Sequence, residues 1–347
     1  MKKIFNILMC LAVAAFVASC SDDTDNPYAH TSSITIDKAN VLLDAVASDA
    51  GRIVYSCNGN VTASTSAAWA KAAISGDTVK VSVEQNDSRF SRSASVVLRH
   101  QADSVVVTLV QKGVTVNIEK DMLTAPTDND TIVSCAFASN INLAVASQPD
   151  WVTTTFANGK VNVHFTANNS GSFRRGVVYL RSANFTDSIE VGQYNFDADI
   201  KGTYKFTYYR DTTYTTTRTV NATVNDNTMR LSGFNLNLPY TFDEATMSFV
   251  VSSGDYVGRS GSNYYFLMTA DENINYWSGF NKGVTISAPL THDADGNVEA
   301  AFRTNYSGII YSTILLGKFT ANKYAQDSYN GLYQTLCRPV LTRQVNN

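Results

Sequence analysis

Two groups of side chains in this 347-residue chain have types and spacing suited to binding chemistry. The first is Tyr276, Trp277 and Phe280, within Asn275-Tyr276-Trp277-Ser278-Gly279-Phe280. Large rings in a Gly- and Asn-rich segment read as loop rings, and aromatic faces on a loop can stack on a sugar ring. The competing reading is a Trp packed over the end of a β-barrel. The second is Asp293, Asp295 and Asn297, followed by Glu299. These offer oxygen ligands for Ca²⁺, but the full spacing of a calcium loop is missing, and Asp295-Gly296 between strands is also the standard hairpin turn. No other cofactor is expected. The four His (His30, His100, His164, His292) are scattered, without metal-ligand spacing. There is no nucleophile elbow, zinc-protease motif, phosphate loop or dinucleotide fingerprint. With six Glu and scattered Asp, no facing carboxylate pair of the kind a glycosidase needs stands out. The expectation is a binding protein rather than an enzyme.

Those loops need a scaffold, and the composition describes one. Charged residues make up 16% of the chain, while Thr, Ser, Asn, Val and Tyr are abundant, the vocabulary of strands and turns. Two segments repeat at an offset of 82 residues: Trp69, Val79-Lys80-Val81-Ser82-Val83, Asn86, Arg92, Leu98-Arg99 and Gln111 match Trp151, Val161-Asn162-Val163-His164-Phe165, Asn168, Arg174, Leu180-Arg181 and Gln193. A period this long means two copies of a domain. In each copy apolar and polar residues alternate, so one strand face is buried and one is wet. Asn58-Gly59 and Asn158-Gly159 are hairpin signals, and seven or so short strands in about 80 residues suit a sandwich. Trp69 and Trp151 read as core plugs at one end of each sandwich, with a sugar platform as the alternative. Cys57 and Cys135 read as small core residues.

The repeat resembles the BACON domain, an immunoglobulin-like sandwich of Bacteroidetes lipoproteins and glycoside hydrolases. The resemblance is carried by the Trp before a strand, Asn86 and Asn168, Arg92 and Arg174, and the endings Leu109-Val110-Gln111-Lys112-Gly113 and Val191-Gly192-Gln193. It implies association with carbohydrate or mucin and brings no catalytic residues. The two copies are expected to be stiff spacers.

From Asp197 the composition shifts: residues 197–347 hold 14 of the 18 Tyr and 23 of the 38 aromatic residues. Strand-like runs at 202–208, 218–224, 228–231, 246–251, 264–268, 284–287, 298–302 and 309–319 are separated by turn signals, and no run reads as a helix. An antiparallel barrel would leave no exposed edges, with a flattened sandwich as the alternative. The opening Ile200-Lys201-Gly202-Thr203-Tyr204 resembles the first strand of calycin- or lipocalin-like barrels.

The start of the chain sets the expected compartment. Lys2 and Lys3 precede the apolar run Ile4–Ala18, which ends Val17-Ala18-Ser19-Cys20. This is the pattern of a secretory signal, and the run is too short to span a bilayer comfortably. With Cys20 at the cleavage point it resembles the lipobox of bacterial lipoproteins, which implies acylation of Cys20. Acidic residues follow in Ser21-Asp22-Asp23-Thr24-Asp25, similar to the surface-export signal of Bacteroidetes lipoproteins. The expected location is the outer membrane, lipid-anchored and facing outward, against retention on the periplasmic side. Removing the leader leaves 25 basic and 30 acidic side chains, a net of −5, which disfavours nucleic acid and gives no polybasic patch for lipid headgroups. Asp followed by Ser or Thr marks Thr78, Ser104, Thr131, Ser188 and Thr212 as O-glycosylation candidates by similarity to the Bacteroidetes sequon.

The sequence therefore gives an all-β chain: signal peptide 1–19, acidic tether 20–32, sandwiches at 33–113 and 114–196, and a barrel-like domain at 197–347. The expected function is glycan binding as an accessory of a polysaccharide-utilisation system. Docking to an envelope or host protein is the alternative, and a hydrolase activity the third.

Overall fold

The computed structural model describes residues 32–234 and 236–344. Cys20, the leader, most of the acidic tether and His30 lie outside them. The fold is all-β: two immunoglobulin-like sandwiches and a nearly closed barrel-like sheet. The chain divides into two compact units, one holding the first sandwich, the other running from Gly113 onward together with the short loop Asn86–Phe90.

The first sandwich has two four-stranded sheets. One orders Ile34–Asn40, Ser48–Cys57, Thr78–Val83 and Ala70–Ser75; the other orders Leu42–Leu43, Asp103–Gln111, Arg92–His100 and Thr62–Thr65. The second sandwich repeats this topology, with sheets Val116–Ile118, Thr131–Ser139, Lys160–Phe165, Val152–Ala157 and Met122–Ala125, Phe185–Gln193, Arg174–Ser182, Ala144–Ser147. Period-two alternation selects the buried faces: Val79, Val81 and Val83 in one copy, and Val161, Val163 and Phe165 in the other, all point into the cores. Asn158 and Gly159 adopt φ of +52° and +70° and close the hairpin between Val152–Ala157 and Lys160–Phe165. Asn58-Gly59 behaves differently from expectation. It carries the chain from one sheet to the other, because Ser48–Cys57 and Thr62–Thr65 belong to different sheets.

In the terminal domain the main sheet runs Asn237–Pro239, Thr228–Leu231, Thr217–Val224, Gly202–Tyr209, Tyr329–Arg343, Val298–Ala301, Thr285–His292, Ser248–Ser252 and Thr241–Asp243. Its first and last members are separated in the chain by Tyr240 alone, so the sheet nearly returns upon itself. Ile309–Phe319 pairs with the first part of Tyr329–Arg343 and carries Asn263–Asp271 beside it. The interior is filled by Phe206, Phe249, Leu267, Phe302, Ile314 and Leu341, among others.

That interior continues into the second sandwich. Met122, Phe173 and Tyr194, all buried, pack in the same core cluster as the barrel residues. Phe173 stacks on His292 with ring centroids 4.2 Å apart, and Tyr194 meets Phe242 edge-on at 5.4 Å. Arg175 donates to the Leu290 carbonyl at 2.9 Å. Gly192 lets two flexible methionines close over it: a Cβ would fall 2.3 Å from Met247 Sδ and 2.4 Å from Met122 Cε, so both side chains would have to shift. His292 stays exposed as a residue, but the partial desolvation of its ring against Phe173 lowers the imidazole below its usual range, opposed in part by Asp293. Each buried Phe contributes roughly 1.5–3 kcal/mol of transfer free energy, so this junction is a hydrophobic core rather than a hinge.

Candidate functional site

The repeated polar residues form one clamp in each sandwich. The Arg92 guanidinium lies 4.2 Å over the Trp69 ring, and Nε donates to Gln111 Oε1 at 2.9 Å. Gln111, fully buried, uses Nε2 to reach the Ala45 and Glu84 carbonyls. The second copy repeats the set: Arg174 sits 4.6 Å over Trp151, donates to Gln193 Oε1 at 2.9 Å, and Gln193 reaches the Thr127 and Asn129 carbonyls. Asn86 and Asn168 each donate to a carbonyl four residues on and accept a backbone N–H two residues on, fixing the turn before the Arg strand. A Trp face covered by guanidinium and packed against the core cannot also stack on a sugar. The clamp accounts for the repeated Trp, Asn, Arg and Gln together.

The aromatic loop has a different character. Strand Asn263–Asp271 turns Leu267 into the barrel and Phe266, Met268 and Ala270 outward, where with Leu315, Phe319 and Tyr324 they form a second, smaller core. Residues 272–283 fold across this outer core. Ser278 N–H donates to the Thr269 carbonyl at 2.7 Å, Thr269 N–H to Ser278 Oγ at 3.1 Å, and the Tyr324 hydroxyl to the Gly279 carbonyl at 2.8 Å. Asp271 closes the near end: Oδ1 accepts the Tyr276 N–H at 2.7 Å. Ile274, β-branched, is held at φ +59°, a conformation that costs on the order of 1–3 kcal/mol and persists only where surrounding bonds enforce it. Tyr276 and Trp277 remain 58% and 40% exposed on this pinned segment. Phe280, grouped with them from sequence, instead turns inward against Phe319, Tyr324 and Tyr329 and meets Trp277 edge-on at 5.6 Å. It supports the loop, because a ring at that position completes the outer core.

A second feature lies at a fork in the sheet that sequence reasoning missed. Tyr329–Arg343 pairs with Ile309–Phe319 as far as Thr313↔Cys337 and with Val298–Ala301 from Ala301↔Val340 onward. On its other side the register slips by one residue between Tyr209↔Cys337 and Thr207↔Val340, a β-bulge at Arg338-Pro339 with Arg338 at φ +46°. The two diverging strands leave a cleft of about 390 Å³. Ala301 and Val340 give it an apolar edge over the buried Phe302 and Pro339; Glu272, Arg303, Ser312 and Arg338 give it polar groups. The Arg338 guanidinium pairs with the Glu272 carboxylate and lies 4.0 Å over the Tyr214 ring. The Tyr214 hydroxyl donates to the Glu272 carbonyl. The exposed Arg303 side chain makes no hydrogen bond or ion pair among the described residues, and the buried Ser312 Oγ has no partner. Among the lining residues there are two guanidiniums and one carboxylate, and Asp271 and Asp211 stand nearby behind Tyr214 and Cys337. The signal available in the sequence was Arg338-Pro339 inside an otherwise strand-like run, since proline within a sheet marks an edge or a bulge.

The remaining candidates are dispersed. Asp293 Oδ1 accepts the Asp295 and Asn297 N–H groups at 2.9 Å each, and Oδ2 accepts Asn297 Nδ2 at 3.0 Å. These bonds lower the carboxyl below its ordinary value and consume it in a hairpin turn, so the loop is built as a turn rather than a calcium cage. Among the described residues no group of three or more His, Cys, Asp or Glu is arranged to hold a metal. Ser104, Ser188 and Thr212 are exposed, while Thr78 and Thr131 are half-buried. Cys135 and Cys337 are buried and Cys57 half-buried, all as free thiols. His164 pairs with Asp130 at 2.8 Å on the polar face.

No protein-family model matches the chain, and no curated protein matches it in sequence. Solved structures similar to it include a titin tandem at 7% identity and TM-score 0.34, covering 83% of this chain and 95% of that one. An I-band fragment of titin matches at 10% identity and TM-score 0.25, over 80% of this chain and 95% of that one. An endo-fucoidan hydrolase of glycoside hydrolase family 107 matches at 12% identity and TM-score 0.20, over 42% of this chain and 28% of that one. At such scores these likenesses carry no argument about function.

Proposed function

We propose that this chain is a glycan-binding lipoprotein of the Bacteroidetes cell surface, acylated at Cys20 and serving a polysaccharide-utilisation system without catalysing a reaction. In this reading the BACON-like first sandwich is a spacer, and the second sandwich with the calycin-like barrel is the binding head. The observation that carries the reading is the exposed pair Tyr276 and Trp277 on a loop pinned to a rigid outer core. A loop backbone fixed in advance loses little conformational freedom on binding, which favours a stacking site for pyranose rings.

Titration of the chain with a panel of plant, algal and host polysaccharides tests this, with Trp277→Ala as the diagnostic variant. Truncating an interfacial Trp commonly costs about 2 kcal/mol or more, roughly thirtyfold in affinity. A Trp277→Ala protein with an unchanged far-ultraviolet spectrum and melting temperature should show that loss. Full affinity in the folded variant would remove Trp277 from the site. Failure of every polysaccharide to bind would replace this reading with protein docking.

A further inference from the structure

Taking the terminal domain as glycan-binding, as proposed above, we infer that the fork cleft beside Arg338 reads the carboxylate of an acidic sugar, a hexuronic acid unit of the bound polysaccharide.

The charge of the cleft selects an anion, and the aromatic loop that Glu272 opens favours one carried on a sugar. Arg338 already holds a carboxylate, that of Glu272, with its guanidinium braced over Tyr214. The bulge at Arg338-Pro339 keeps the guanidinium at the fork. Arg303, on the same cleft, has the same fork of donors and no partner among the described residues. A planar guanidinium matches a carboxylate with two parallel hydrogen bonds, which a sugar hydroxyl cannot reproduce. Phe302 and Pro339 are buried beneath the cleft, and the apolar surface it offers is that of exposed Ala301 and half-buried Val340.

The cleft is joined to the aromatic loop by covalent structure. Glu272 opens the segment that carries Tyr276 and Trp277, and its N–H is anchored to the Ile310 carbonyl at 3.1 Å. Glu272 and Tyr276 are four residues apart, at most about 14 Å between their Cα atoms, a separation within the length of a short oligosaccharide.

The test is titration of the full chain with oligogalacturonides and hyaluronan oligomers, each compared with its carboxyl-reduced form at low and high salt. The native oligomer of the preferred type should bind at least tenfold more tightly than its reduced form, with the difference shrinking at high salt. Arg303→Gln should remove that preference, since Arg303 is exposed and supports no other group. Glu272→Gln should increase affinity for the acidic oligomer by removing the internal competitor for Arg338, an effect that damage to the fold would not produce. Equal binding of native and reduced oligomers, or an Arg303→Gln protein that keeps its preference, overturns the inference. Displacement of the oligomer by equimolar acetate overturns the sugar part of it. Trp277-dependent binding of neutral glycans without preference for acidic ones would sink this inference and leave the glycan reading standing. No binding to any polysaccharide would sink both.

Discussion

The two sandwiches share a topology and a clamp, yet they differ at the positions that face the barrel. At the offset of 82 residues, Met122, Phe173, Arg175 and Tyr194 of the second copy correspond to Asn40, Ser91, Ser93 and Lys112 of the first. The first-copy residues are exposed and polar. In the second copy, three of the four have become large apolar or aromatic groups in the core shared with the barrel, and the fourth, Arg175, reaches a barrel carbonyl. Gly192 replaces the residue equivalent to Val110, making room for Met247. A duplicated domain has thus kept its internal wiring while a few positions turned one copy into part of the head. The clamp shows what a sandwich of this kind needs to fold; the divergent face shows what separates a free-standing module from a built-in one.

Truncating the junction should give the largest asymmetry. Phe173→Ala removes a fully buried ring and should destabilise the second unit by about 3–5 kcal/mol, whereas Ser91→Ala at the matching position should stay within about 0.5 kcal/mol. Chemical denaturation of the two variants measures both; similar effects at both sites would break the comparison. The clamp should behave symmetrically and at smaller scale. Arg92→Met and Arg174→Met each strip a donor from a buried Gln and should cost about 1–3 kcal/mol, each in its own unit only. If Arg92→Met also weakens the second unit, the two do not unfold separately.

The smallest effect concerns pH. The folded His292 imidazole titrates below its unfolded value of about 6.5, so the unfolded chain takes up the proton first as pH falls. The contribution of neutral His292 to the junction is therefore complete above about pH 6.5 and declines as pH drops through the depressed folded value. His292→Phe preserves a ring against Phe173 and should flatten the pH dependence of melting of the second unit between pH 7 and 5. An unchanged dependence would remove His292 from the junction.

Much of this architecture is legible in the residues. Alternation at Val79–Val83 and Val161–Phe165 gives the buried faces, and the run 309–319 coincides with strand Ile309–Phe319. The exposed rings of Tyr276 and Trp277 are recognisable from their Gly- and Asn-rich surroundings. The long last strand is not, because Gly331, Gln334 and Pro339 interrupt its pattern and its partners change midway. The fork cleft stays hidden with it, since Glu272, Arg303, Ser312 and Arg338 meet only through long-range pairing. The role of Phe280 is decided by an outer core that local sequence does not reveal. The repeat was visible as a pattern of Trp, Asn, Arg and Gln, but only contacts at 4.2 and 4.6 Å explain why those residues recur together.

The central claim, that the second sandwich and the barrel form one head, is tested most directly by calorimetry of residues 114–347 expressed alone. The shared core of Met122, Phe173, Tyr194 and the barrel interior predicts a single transition whose calorimetric and van't Hoff enthalpies agree. Two resolved transitions, one for each domain, would contradict it.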